Sequence, residues 1–190
     1  MAGRDEQGQI DRKLIAQARA GDTQAWRGLV DRHSRFVAAI LRACRVPEDD
    51  QADAFQYVFV EMFRNLAALE DVDNLPAWIR TVASRHAIRT RESSQKRPVT
   101  GAESALAAVP DDANLETELE LAEVEHKVRL SLGFLSATCR TLVERLFLED
   151  PPRAYAEVAE ELGLAIGSIG ATRQRCLSHL EKLLRSQGLP

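Results

Sequence analysis

At 190 residues the chain has room for one or two small domains, and two fit better than one. Hydrophobic residues at 45% and charged ones at 28% exclude a wholly disordered chain, while a net charge of −4 argues against indiscriminate nucleic-acid binding. Apolar runs such as Phe36 to Leu41 fall far short of the about 20 residues a bilayer span requires. The stretch from Met1 through Asp11 is polar and mixed in charge, with no apolar run before a small-residue cleavage site. No membrane insertion is expected, and a cytoplasmic location is. Cys44, Cys139 and Cys176 are odd in number and widely spaced among apolar residues, and are expected to be reduced core thiols. Cys176 and His179 lie one helical turn apart, but no second close pair completes four ligands, so neither metal nor cofactor is expected.

In chain order, a short helix carrying Ile10, Leu14, Ile15 and Ala18 comes first. A stronger one begins near Asp22, a capping residue, with Trp26, Leu29, Val30, His33, Val37, Ile40 and Leu41 at helical spacing. After Pro47 and the acids at 48 to 50, Phe55, Val58, Phe59, Met62, Phe63 and Leu66 form one apolar stripe, expected to face a core. A loop from Ala68 to Asn74 leads to Pro76 in a first helical turn and then Trp78, Ile79, Val82 and Ala83. That helix is basic: Arg80, Arg85, Arg89, Arg91, Lys96 and Arg97 face only Glu92 in sequence.

Residues 93 to 115 hold Pro98, Gly101 and Pro110 without periodicity and read as a linker. From Glu103 to Glu125 there are eight carboxylates and no Lys or Arg. A second helical block is expected from near Glu116, with Leu121, Val124, Val128 and Leu132 along its apolar side. Ser136 is a good N-cap for a helix carrying Leu142, Val143, Leu146 and Phe147, which Pro151 and Pro152 end.

The segment from Tyr155 to Gly170 then reads as helix, tight turn at Gly163, and second helix. Ala159 is small where two helices cross closely, and Val158, Leu162, Ile166 and Ile169 supply a shared core. In the second helix Ser168, Thr172, Arg175, His179 and Lys182 stack along one face, opposite Ile169, Cys176, Leu180 and Leu184. Short hydroxyls near a helix N-terminus with Arg and Lys behind them suit the major groove of DNA. Arg173 points toward the apolar side, where its stem would pack while its head reaches a backbone phosphate.

Four stretches resemble the extracytoplasmic-function sigma factors of the sigma-70 family. They are the opening Leu14 to Asp22 with Trp26, the helix from Asp53 to Arg64, the Pro76 to Ala83 segment, and Tyr155 to Leu184. The resemblance implies an all-α fold of two small helical domains, sigma region 2 over residues 9–95 and region 4 with its helix-turn-helix over 118–187, joined by a flexible acidic linker at 96–117. It implies core RNA polymerase as partner, gripped through the β′ coiled coil by Asp53, Gln56, Tyr57 and Arg64 and through the β flap by region 4. Minus-10 promoter DNA would meet Asp71, Asn74, Trp78, Arg80, Arg85 and Arg89, with a flipped base received by the Ala68 to Asn74 loop. Minus-35 DNA would meet Ser168, Thr172, Arg173, Arg175 and His179. A cognate anti-sigma factor is also implied. Tyr57 stands where the family often has an acid, and Arg85 and Arg89 where it often has Asn and Asp.

No nucleophile, metal cluster or phosphate loop emerges, so the chain is not expected to be an enzyme. The alternatives are a stand-alone helix-turn-helix repressor, which would normally need a dimerisation element, and a protein-interaction module without DNA contact. The acidic run from Glu103 to Glu125 is expected to occupy a basic channel of the polymerase.

Overall fold

The computed structural model describes residues 2–69, 74–95 and 112–189, with side chains over 7–69, 74–94 and 114–189. No strand occurs among them, and the elements are helical throughout, as the apolar spacing predicts. The chain divides into two compact units, Glu6–His126 and Met1–Asp5 with Lys127–Pro190.

Helix α1 (Ala2–Arg19), which lies in the first unit from Glu6 on, is followed there by α2 (Thr23–Ala43), capped by Asp22, whose carboxylate accepts from the Gln24 and Ala25 amides at 2.8 and 3.2 Å. Gly28 lies where α1 crosses α2, and a Cβ there would meet a Leu14 methyl at 3.3 Å. The third helix, α3 (Glu48–Arg64), carries three acids in its first turn, which complement the helix dipole. A short α4 (Leu66–Leu69) occupies the start of the predicted loop, and α5 (Leu75–Gln95) follows. Helices α2, α3 and α5 pack on one another. Their core joins Leu29, Phe36, Val37, Ile40 and Leu41 of α2, Val58, Phe59 and Met62 of α3, and Leu75, Ile79, Ala83 and Ala87 of α5. The α5 residues recur every fourth position, so one narrow stripe is buried and most of the helix circumference is left for charge.

The expected stripe is correct except at Phe63, which is 58% exposed, its ring set edge-on to Trp26 at 5.2 Å. Helix α6 (Asp112–Leu132) starts earlier than predicted and buries a different face over its first half, whereas Leu132 of the expected set is buried and Val128 half-buried. Leu119, Ala122 and His126 are buried with the first unit, Leu115 packs against the same core, and Leu121 is 62% exposed with Val124 exposed beside it. Both sets have helical spacing, and tertiary pairing selects between them.

In the second unit Ser136 caps α7 (Ala137–Val143), accepting from the Cys139 amide at 3.3 Å. The chain then widens into a single π-helical turn over Glu144–Leu148, which leaves Phe147 and Leu148 exposed; Phe147 is therefore not part of the core. Helix α8 (Tyr155–Glu161), the turn at Gly163 and a 3₁₀ turn over Ile166–Ser168 lead into α9 (Ile169–Ser186). Gly163 sits at φ +62°, a conformation that favours glycine, so the predicted turn is present where the motif puts it. One cluster joins Leu142, Leu146, Val158, Ala159 and Ile169; a second joins Leu132, Leu135, Val143, Cys176 and Leu180. Ile166 does not join them, because the 3₁₀ turn rotates it outward, and Leu164 packs there instead. The expectation of three reduced thiols is corrected as well: Cys139 and Cys176 form a disulfide between α7 and α9, with Cα atoms 5.2 Å apart. Cys44 alone is free, and its burial pushes the thiol up to about 11.

Candidate functional site

Helix α3 gathers all four residues predicted to grip a partner. Asp53, Gln56, Tyr57 and Arg64 fall at i, i+3, i+4 and i+11, one face of a helix, and all four are exposed. Val60 and Phe63 are exposed on the same face, so it is amphipathic in a way that periodicity did not reveal. Arg64 pairs with Glu61 at 3.0 Å, an exposed contact of little energetic weight. Tyr57 is less free than a sequence reading suggests. Its ring stacks on His86 of α5, centroids 3.7 Å apart and 8° from parallel, and so bridges two helices. Burial, and then the charge of Arg89, hold the His86 imidazole below its ordinary range, which keeps that stack neutral.

The basic helix α5 is split into two flanks. Trp78, Arg85 and Arg89 occur at i, i+7 and i+11 and share one side; both arginines are exposed, and Trp78 is half-buried against the core. Arg80 and Arg91 share the other. Arg80 is engaged there by two carboxylates of α6, donating through Nη1 to Glu123 at 2.7 Å and through Nη2 to Glu116. Burial opposes the Arg80 charge, but the two carboxylates outweigh it and hold the guanidinium more firmly protonated. Asn74 is the N-cap of α5, accepting from the Ala77 amide at 3.2 Å. Asp71 lies outside the described residues.

On α9 the predicted stripe is present, with Arg175 and His179 exposed and Thr172 half-buried. Arg175 donates to Thr172 Oγ1 at 3.2 Å, and Gln174, Arg175, Ser178, His179 and Lys182 border a shallow surface hollow. The Ser168 hydroxyl instead turns back to donate to the Ala165 carbonyl at 2.7 Å, closing the 3₁₀ turn. Arg173 does not reach outward. Its guanidinium donates to the Tyr155 hydroxyl and lies 5.9 Å from that ring, so it fastens α9 to α8. A further brace was not foreseen: Arg145 and Arg153 interlock with Glu149 and Glu161, tying α8 to the π-helical turn.

The elements from α2 through α5 carry a family signature. Residues 29–97 match Sigma-70 region 2. The match thus spans the α3 face, the α4 turn and both flanks of α5. No curated protein matches the chain. Among solved structures the chain is similar to one titled as CnrH in complex with the cytosolic domain of CnrY, at 25% identity over 93% of this chain and 98% of that one, with a TM-score of 0.40. No described helix is long and apolar enough to cross a membrane.

Proposed function

We propose that the chain is a sigma factor of the extracytoplasmic-function group, which binds core RNA polymerase in the cytoplasm and directs it to promoters through minus-10 and minus-35 elements. The observation that carries this reading is the region 2 match lying over α3 and α5, where exposed residues are sorted into one amphipathic face and one cationic flank. The α3 face supplies apolar anchors at Val60 and Phe63, ringed by Asp53, Gln56 and Arg64, the pattern by which a helix docks on a partner coiled coil. That coiled coil belongs to β′, while the second unit meets the β flap.

At the minus-10 element, Trp78, Arg85 and Arg89 face the melted strands. The arginines neutralise phosphates while the segment from Ala68 to Asn74, with Asp71, receives one flipped base; unstacking it costs a few kcal/mol, which the contacts there must offset. At the minus-35 element α9 enters the major groove with Thr172, Arg175 and His179 toward base edges and phosphates. Ser168 and Arg173 serve that surface by shaping it, the first by closing the turn and the second by fixing the angle between α8 and α9. The chain has no catalytic step of its own, since the polymerase makes the phosphodiester bond. A cognate anti-sigma factor would compete for these same surfaces. Affinity capture with core polymerase tests the reading: the chain should be retained in equimolar amount, and a chain that passes core polymerase but binds duplex DNA alone would be a repressor.

A further inference from the structure

Residues 114–126 of α6 are strongly acidic yet seated on the first unit. Leu119 and Ala122 enter its core, Leu115 packs alongside, and His126 lies buried flat against Phe36. Around this seat the carboxylates are aimed at cations. Glu118 accepts from Arg45 at 2.7 Å, and Glu116 and Glu123, two turns apart on one face, converge on the single guanidinium of Arg80. Two carboxylates set on one guanidinium satisfy it as a phosphate would, since the planar fork of Arg suits either anion. The seat itself is small. Two buried apolar side chains and one ring hold this part of the helix to the first unit, and the helical state of a surface segment depends on such tertiary contacts. Such a segment belongs to the part of a structure that opens first.

We infer that the acidic half of α6 is an internal competitor for nucleic acid: it masks Arg80 in the free protein and leaves its seat when a phosphate backbone takes that cation. The inference rests on the reading of α5 as a DNA-facing helix. It makes the chain a poor DNA binder on its own by a built contact, in addition to its net negative charge. It also divides α5 functionally, with the Arg85 and Arg89 flank open at all times and the Arg80 flank available only after α6 departs.

The test uses the full chain and a fluorescent single-stranded oligonucleotide. Replacing Glu116→Gln with Glu123→Gln should tighten binding by about fivefold to tenfold, the yield of roughly one phosphate contact. A charge-matched control, Glu48→Gln with Glu120→Gln, should give much less, and adding Arg80→Ala to the first pair should abolish the gain. In parallel, amide hydrogen exchange over 114–126 of the wild-type chain should rise when a saturating oligonucleotide is added. A gain no larger than the control, a gain that survives Arg80→Ala, or unchanged exchange in the saturated chain would each overturn the inference. Failure of the chain to bind core polymerase would leave these readouts intact and count against the sigma reading alone.

Discussion

His126 lies face to face with Phe36, ring centroids 4.5 Å apart and 9° from parallel, while its Nε2 meets His33 Nδ1 at 3.1 Å. His33 Nε2 in turn meets Asp11 Oδ1 at 3.2 Å, and Arg32 donates to the same carboxylate oxygen at 2.7 Å. The chain of contacts runs from α1 through α2 to α6; Asp11, His33 and His126 are buried in it and Arg32 partly so. His126 sits in it with its ring against Phe36 and its Nε2 on another imidazole, surroundings that disfavour a charge on it.

This sets a pH dependence. Burial, and then the charge of His33, push His126 down to about 3. Its ordinary value is about 6.5, so between those limits the unfolded chain binds the extra proton and stability falls as pH falls. Asp11 is shifted in the same downward sense and acts at lower pH. Burial raises its carboxyl, the hydrogen bond and charge of His33 and then the charge of Arg32 outweigh this, and the stabilisation it gives is lost only below its ordinary carboxylate range. Denaturant melts at pH 7.5 and 5.0 should therefore differ by about 2 kcal/mol, most of it absent in His126→Phe. Equal pH dependence in the variant would place the titrating group elsewhere.

The Cys139–Cys176 bridge closes a separation of 37 residues, for which chain entropy gives about 3 to 4 kcal/mol of stabilisation. Denatured, non-reduced protein should show one titratable thiol, that of Cys44, and native protein essentially none, because the Cys44 thiol is buried and protonated at neutral pH. Reduction should lower the thermal midpoint of the second unit and spare the first. Three thiols in the denatured, non-reduced protein would show that the pair is not bonded in solution.

On α3, Asp53→Ala with Gln56→Ala should weaken core polymerase binding by roughly tenfold while helicity by circular dichroism stays unchanged. Phe63→Ala should cost at least as much, since an exposed aromatic beside Trp26 is the better anchor. Tyr57→Phe should be tolerated because the ring, not the hydroxyl, stacks on His86. Undiminished affinity in the double variant would remove this helix from the interface.

The two DNA-facing surfaces should separate on templates. Arg175→Ala should cost about 1 to 3 kcal/mol if the side chain reads a base, and initiation should stay poor on a template already melted around the minus-10 element. Asp71→Ala should be largely rescued by the same melted template. Abortive-transcript yields from duplex and melted templates measure both, and equal rescue would show that α9 assists melting.

What was legible in the sequence was local. The Asp22 and Ser136 caps, the Gly163 turn and the Ala159 crossing each follow from a few adjacent residues, and each is where the motif puts it. The face of α6 was not legible, because Leu121 with Val124 and Leu119 with Ala122 have equally good spacing, and the choice falls to the Arg80 and His126 partners far away in sequence. The same holds for Arg173, whose partner Tyr155 is on another helix, and for Cys139 and Cys176, whose approach depends on how α7 packs on α9. Residues that look alike in a period differ in exposure only once their neighbours are known, as Phe59 and Phe63 show.

Core polymerase, with and without the full chain, transcribing a library of randomised promoters, tests the central claim most directly when transcript 5′ ends are sequenced. Starts should require the chain and share one minus-10 and one minus-35 element, with Arg175→Ala relaxing selection at the minus-35 position only. The same distribution of starts with and without the chain would contradict it.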